Sequence, residues 1–199
     1  MLEVFGVITG LLYMVLEIRQ HRTMWIVGFI TSLVYVFVFF FAKLYADMGL
    51  QAYYVLISVY GFWLWSRKRG EREEVKGKGE EESAIIYSHA SVSLLMGVTV
   101  AMVILWFILY YVLSRYTDSP VPVGDALTTA IGIVATWMLA RRIIEHWYFW
   151  MIANLTSIYI YYLRDLYPTM FLYLCYTVIA VVGLYTWSKK GIRTDDKTL

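Results

Sequence analysis

The sequence predicts an all-α integral membrane protein with seven transmembrane helices. Three observations carry that expectation. Hydrophobic residues make up 60% of the chain. Charged residues make up only 16%, where an ordinary soluble domain has about 25%. The charges also fall in short clusters between long apolar runs. A helix needs roughly 20 apolar residues to cross a hydrocarbon core about 30 Å thick. In that core the helix satisfies every backbone group internally. The 199 residues are nearly consumed by seven such runs, which leaves no room for a separate soluble domain.

In order, the spans are expected at Leu2–Ile18, Met24–Ala42, Met48–Ser66, Ser91–Leu113, Val121–Ala140, Trp147–Leu163 and Tyr167–Ser188. The first opens with Glu3 and carries no Lys or Arg ahead of its apolar run, and no small-residue cleavage site follows it. It reads as a retained helix rather than a signal peptide. The third is followed by Gly70–Ser83, GEREEVKGKGEEES, nearly balanced in charge and rich in glycine. That is a solvated linker rather than a nucleic-acid surface, because its Glu residues cancel its Lys and Arg. The fifth starts at the Pro120–Asp125 stretch PVPVGD, a natural helix opening. The single cysteine, Cys175, lies in an apolar run and excludes an internal disulfide.

The loops predict an orientation. Lys43, Arg115 and Arg164 share the side of the N-terminus. The other fourteen of the 17 basic residues lie opposite, at Arg19, Arg22, Arg67, Lys68, Arg69, Arg72, Lys76, Lys78, Arg141, Arg142, Lys189, Lys190, Arg193 and Lys197. Cytoplasmic loops carry the Lys and Arg excess, so the N-terminus is expected outside and the C-terminus in the cytoplasm. Trp25, Tyr45, Trp65, Trp147, Tyr167 and Trp187 sit near span ends, as an interfacial aromatic belt would.

An internal repeat is also legible. Gly61, Trp65, Ser66 and two bases recur 122 residues on as Gly183, Trp187, Ser188 and two bases, and Tyr45 and Tyr54 keep that spacing to Tyr167 and Tyr176. Upstream, His21, Trp25, Thr31 and Ser32 match His146, Trp150, Thr156 and Ser157 at a spacing of 125. That register sets Phe29 opposite Asn154. The chain is therefore expected to form one membrane domain over 1–199: a three-helix repeat at 2–66, a charged cytoplasmic linker at 67–90, a linking helix at 91–113 and a second repeat at 121–188. A 3+1+3 plan of parallel repeats is a known transporter layout, with the substrate site near the midplane between repeats.

The exceptions in the apolar runs nominate the site. Trp147, Trp150 and Asn154 lie at 0, +3 and +7 and share a helix face, which Tyr161 extends. An Asn within an apolar span is costly unless it has a partner or faces a cavity. It is either an interhelical hydrogen bonder or a ligand contact. Gln51, Tyr54, Ser58 and Trp65 form a similar face on the third span, with the same two readings for Gln51. Glu17 reads as a snorkelling surface carboxylate and Asp125 as a first-turn helix residue, so no acid offers a proton-coupling device. Aromatic faces with neutral amides suit flat organic cations. A phosphorylated ligand would need a midplane Arg or Lys, and there is none.

Three stretches resemble the PnuC family of bacterial vitamin transporters: Leu44–Gln51 running into Tyr60–Trp65, Leu139–Trp147, and the Trp147-x-x-Trp150-x-x-x-Asn154 motif. The resemblance covers nearly the whole chain apart from the charged linker. It implies a fold related in plan to the SWEET sugar transporters and a location in the bacterial inner membrane. It implies facilitated import of nicotinamide riboside, trapped inside by phosphorylation, or of thiamine or another vitamin. It also implies frequent trimerisation. It carries Trp147, Trp150 and Asn154 over as ligand contacts, with Gln51 as a further match; Tyr54 and Tyr161 are candidates from their helix faces. No cofactor, metal or nucleic-acid partner is called for. An intramembrane enzyme would need a catalytic constellation, and His21, His89 and His146 are far apart with no HExxH or P-loop pattern. A scaffold without transport fits poorly with the near-absence of soluble loops.

Overall fold

The structure, a computed structural model, describes residues 2–41, 45–67, 85–117 and 119–193. The segment Gly70–Ser83 and Lys43 lie outside them. Among the described residues there are seven α-helices: α1 (Leu2–Ile18), α2 (Thr23–Phe41), α3 (Tyr45–Arg67), α4 (Val92–Tyr116), α5 (Pro122–Ala140), α6 (His146–Leu163) and α7 (Tyr167–Lys190). Of these, α2, α4, α5 and α7 are long and apolar enough to cross a membrane by length and composition. Large hydrophobic side chains cover the outside of α4, where Met96, Val100, Ile104 and Phe107 are all exposed. Water would not tolerate such a surface and a bilayer does.

The chain forms two compact units. The first holds α1, α2 and α3, the turn residues Ala140–Arg142, and the C-terminal stretch from Thr186. Within it, α2 packs against both α1 and α3. It also contains two three-residue strands that an all-helical reading does not foresee. β1 (Ile85–Tyr87) pairs in parallel with β2 (Gly191–Arg193). The free edge of β1 is closed by a side chain: the Gln20 amide donates to the Ile86 carbonyl at 2.7 Å and accepts from the Ile86 N–H at 3.0 Å. The charged linker expected at 67–90 therefore includes, at Ile85–Tyr87, a buried strand rather than solvated chain.

The second unit holds His89–Leu139 and Ile143–Tyr185, which contain α4, α5, α6 and most of α7. Ser91 caps α4 by accepting the Leu94 N–H through its hydroxyl at 3.2 Å. Val98 of α4, Val134 and Met138 of α5, and Ile143 form the core, with Phe149 of α6 packed on it. Ala126, Ala130 and Ala135 of α5 are fully buried. Small residues let neighbouring helices approach closely where no hydrophobic effect drives them together.

The backbone at the ends of α1 and α5 repeats at a spacing of 122. Gln20 and Arg142 both take positive φ, 50° and 61°. The His21 N–H bonds the Leu16 carbonyl as the Ile143 N–H bonds that of Met138. Met24 to His21 and Trp25 to Arg22 recur as His146 to Ile143 and Trp147 to Ile144. Trp25 therefore corresponds to Trp147, not to Trp150, and Ser32 rather than Phe29 corresponds to Asn154. The spacing of 125 rests on a His and a Trp four apart and a Thr-Ser pair in each stretch. His21 is in the turn before α2, while His146 begins α6. A slip of three residues is nearly one helical turn, so the mismatched register still looked in phase.

The tryptophans also depart from expectation. Trp25, Trp65, Trp147 and Trp187 are buried in protein rather than forming an interfacial belt. Trp65 Nε1 donates to the Ala140 carbonyl at 2.9 Å, and Trp187 Nε1 donates to the Ile18 carbonyl at 3.1 Å. Each satisfies a carbonyl at the C-terminal end of a helix, where the last turn leaves acceptors unpaired. Glu17 is buried as well, at 3% exposure, beside that capped end of α1. It is not a snorkelling surface carboxylate.

Candidate functional site

The candidate site is built from α6. Glu145 precedes the helix and spends its carboxylate on the segment leading into α4, accepting from Ala90 N–H at 3.0 Å and pairing with His89 Nδ1 at 2.8 Å. His146 is buried, with Nδ1 2.7 Å from the Ile143 carbonyl, which makes that nitrogen the donor. Its ring lies against Trp147, centroids 4.5 Å apart. These contacts fix the start of the helix before the first candidate residue.

Trp147 then lies against Gly183 of α7. A β-carbon at Gly183 would come within 2.5 Å of Trp147 Cζ2 and 2.7 Å of Cζ3, and closer still to Cη2. Only glycine leaves room for the indole there. The first unit contains the same contact, with Trp25 lying over Gly61 of α3. The pair therefore has a packing role in both units.

One turn on, Trp150 has its indole Nε1 buried without a hydrogen-bond partner among the described residues. Another turn on, Asn154 is 4% exposed, and no hydrogen bond joins its amide to another described residue. A buried donor or amide left unpaired costs about 1–3 kcal/mol. The two groups stand on one face with no hydrogen-bond partner among the described residues. The interhelical reading of Asn154 needs a partner that the described residues do not supply.

Further along the face come Ser157, which is buried, and Tyr161. Tyr161 stacks on Tyr173 of α7, centroids 5.3 Å apart with the planes at 26°. Tyr173 in turn meets Tyr176 edge-on at 5.7 Å. The structure thus brings Trp147, Trp150, Asn154 and Tyr161 onto one face and adds Ser157 and Tyr173. Ser157 keeps the spacing of the face, three residues beyond Asn154, and could have been read from the sequence. Tyr173 arrives from another helix and carried no local signal. The face holds aromatic rings, a hydroxyl and an amide, and no charged side chain.

Gln51 and Tyr54, the remaining candidates, are half-buried on α3 in the first unit. Ser58, one turn beyond Tyr54, is buried near Gly28 of α2 and Tyr13 of α1: a β-carbon at Gly28 would lie 3.2 Å from Ser58 Oγ and 3.0 Å from Tyr13 Cε2. Trp65, on the same sequence face, is committed elsewhere. It caps Ala140 and lies under the Arg142 guanidinium, 5.2 Å from the ring centre. Asp125 accepts the Ser119 hydroxyl at 2.6 Å in the first turn of α5, as its position led one to expect.

Comparison with known proteins agrees with this architecture. A family model described as nicotinamide mononucleotide transporter matches residues 1–189. The nicotinamide riboside transporter PnuC of Escherichia coli (strain K12) is 26% identical over 213 residues, covering 100% of this chain and 89% of the relative. The riboflavin/roseoflavin transporter RibM of Streptomyces davaonensis is 27% identical over 197 residues, covering 99% of this chain and 89% of the relative. The crystal structure of the vitamin B3 transporter PnuC superposes with a TM-score of 0.69 at 24% identity, over 94% of this chain and 80% of that one. The chain belongs to the nicotinamide mononucleotide transporter family, as a multi-pass membrane transporter and not an enzyme.

Proposed function

We propose that the protein is a facilitator importing a vitamin precursor, with nicotinamide riboside as the first candidate, across a bacterial inner membrane. The observation that carries this is the α6 face. Trp150 Nε1 and the Asn154 amide have no hydrogen-bond partner among the described residues and stand among aromatic rings, at a position where an unpartnered amide is otherwise costly. A flat heterocycle bearing hydroxyls supplies both the ring to stack and the acceptors those groups lack. Ring faces also favour the positive charge of a nicotinamide ring. The absence of a Lys or Arg on the face speaks for the riboside over a phosphorylated nucleotide.

In this reading Trp147, Trp150, Asn154 and Tyr161 contact the ligand, and Gln51 and Tyr54 are further contacts. All seven helices cross the bilayer in a 3+1+3 plan of the SWEET type, comprising 2–66, the linker 67–90, the linking helix 91–113, and 121–188. The recurrence of backbone geometry at a spacing of 122 supports that plan. The N-terminus lies outside and the C-terminus in the cytoplasm, which the Lys and Arg asymmetry supports. The chain assembles as a trimer, and phosphorylation inside the cell retains the imported ligand.

The test is calorimetric titration of the purified protein with nicotinamide riboside, thiamine, riboflavin and nicotinamide mononucleotide, followed by uptake into proteoliposomes without an ion gradient. Saturable riboside uptake is expected, lost in Asn154→Ala and Trp150→Phe. Tighter binding of the mononucleotide would overturn the substrate assignment, and no binding of any of the four would overturn the site. Thiamine remains the second reading because it too is an aromatic cation. Riboflavin enters because a relative is named for it, and its neutral ring would show that flatness rather than charge selects the ligand.

A further inference from the structure

The first unit contains a groove of about 430 Å³ between α2 and α3 that the transport reading does not use. Its walls include Val59 and Phe62, both exposed on the outside of the helix pair, where a multi-pass membrane protein meets acyl chains. Its lining is almost wholly apolar, and two of its residues carry a polar atom that is buried away from the groove and has no hydrogen-bond partner among the described residues. These are Trp25 Nε1, on a side chain 1% exposed, and Ser66 Oγ. Ordinarily a helical serine in an apolar setting bonds a carbonyl one turn back. At the same end a cation is in place: the Arg67 guanidinium lies over the Trp63 ring, 4.7 Å from its centre, and Trp63 is itself part of the wall. Lys68 and Arg69 follow in sequence before the first acid, Glu71.

We propose that this groove is a binding site for one anionic phospholipid. The acyl chain lies along Val59 and Phe62. An ester carbonyl or phosphate oxygen lies at the Ser66 end of the groove and accepts from the Ser66 hydroxyl once that hydroxyl turns toward it. Arg67, held by Trp63, carries the opposite charge to the headgroup. The chemistry is complementary at each point: an apolar wall for the chain, a hydroxyl for an oxygen acceptor, and a cation for the anion. This site is separate from the α6 face, so it stands or falls independently of the transported ligand.

The test is native mass spectrometry of the purified full chain, delipidated and then offered equimolar phosphatidylglycerol and phosphatidylcholine. Retention of one phosphatidylglycerol is expected at about fivefold preference, roughly the worth of one basic residue at an anionic surface. Arg67→Gln should bring the two lipids level, and Ser66→Ala should weaken retention of both without altering the preference. Neither change disturbs the packed Trp25, so both variants are expected to fold. Equal retention of the two lipids by the unaltered chain would overturn the proposal, as would an unchanged preference in Arg67→Gln. A change of oligomer order in Val59→Trp with lipid retention intact would give the groove to a second copy of the chain, and would likewise overturn it.

Discussion

Gly183→Ala sets two effects of known sign against each other. In a helix interior alanine is favoured over glycine by about 1 kcal/mol. At Gly183 the added methyl would lie 2.5 Å from Trp147 Cζ2 and 2.7 Å from Cζ3, with Cη2 nearer still. Carbon atoms pack at about 3.5–4.0 Å, so the indole must retreat by about 1 Å. The neighbour is an aromatic ring, itself held against His146, and not the free end of a flexible chain. Overpacking of this kind costs about 1–3 kcal/mol, so the net effect is a loss of roughly 0–2 kcal/mol. For a chain of this size about 1 kcal/mol corresponds to about 2–4 °C in Tm. Gly97→Ala in α4 is the matched control, because a β-carbon there meets nothing within 4 Å. It should raise Tm by about the same amount. The two variants are compared by thermal unfolding of the detergent-solubilised protein. Titration with nicotinamide riboside then reads the displaced ring, and Gly183→Ala should weaken binding about tenfold, or about 1.4 kcal/mol. Equal upward shifts in both variants would refute the reasoning, since they would mean that Trp147 does not hold its place against Gly183.

Other outcomes follow from the same geometry. Asn154→Leu should leave Tm unchanged or raised while abolishing ligand binding, because no described residue bonds the amide; a fall of several degrees in unfolding scans would restore its role as an interhelical bond. Trp187→Phe keeps the ring and removes the donor to the Ile18 carbonyl, and should cost about 1 kcal/mol, read as a lower Tm. Trp65→Phe should behave alike through Ala140, and equal stability of both variants to the parent would count against helix capping by these rings. Glu145→Gln weakens the link to His89 and Ala90 at the start of α6. The pair is partly exposed, so the loss should be about 0.2–1 kcal/mol and should shrink at high salt.

Much of the candidate face on α6 was legible in the sequence for a simple reason. In a long apolar run, an Asn and two Trp at helical spacing stand out, and the spacing alone places them on one face. Ser157 obeys the same rule. Tyr173 does not, because only the packing of α7 on α6 brings it to Tyr161. The strands at Ile85–Tyr87 and Gly191–Arg193 were not legible either. Three residues are too few for a period, and their pairing joins segments far apart in the chain. The spacing of 122 was visible in sequence identities between the third and seventh helices, but the register upstream of them was not. Side-chain coincidences such as His21 and His146 can slip by three residues and stay nearly in phase, whereas a positive φ at Gln20 and Arg142 cannot slip at all.

What the sequence by itself determined is the set of apolar helices and the polar exceptions on α6, since hydropathy and helical period are local properties. What only the tertiary structure decided is the work of each aromatic residue. Trp25, Trp65, Trp147 and Trp187 resemble one another near the ends of apolar runs. Two of them cap helix carbonyls and two lie over glycines. An indole pairs its N–H with whatever acceptor the fold brings near it, and that acceptor lies far away in the chain.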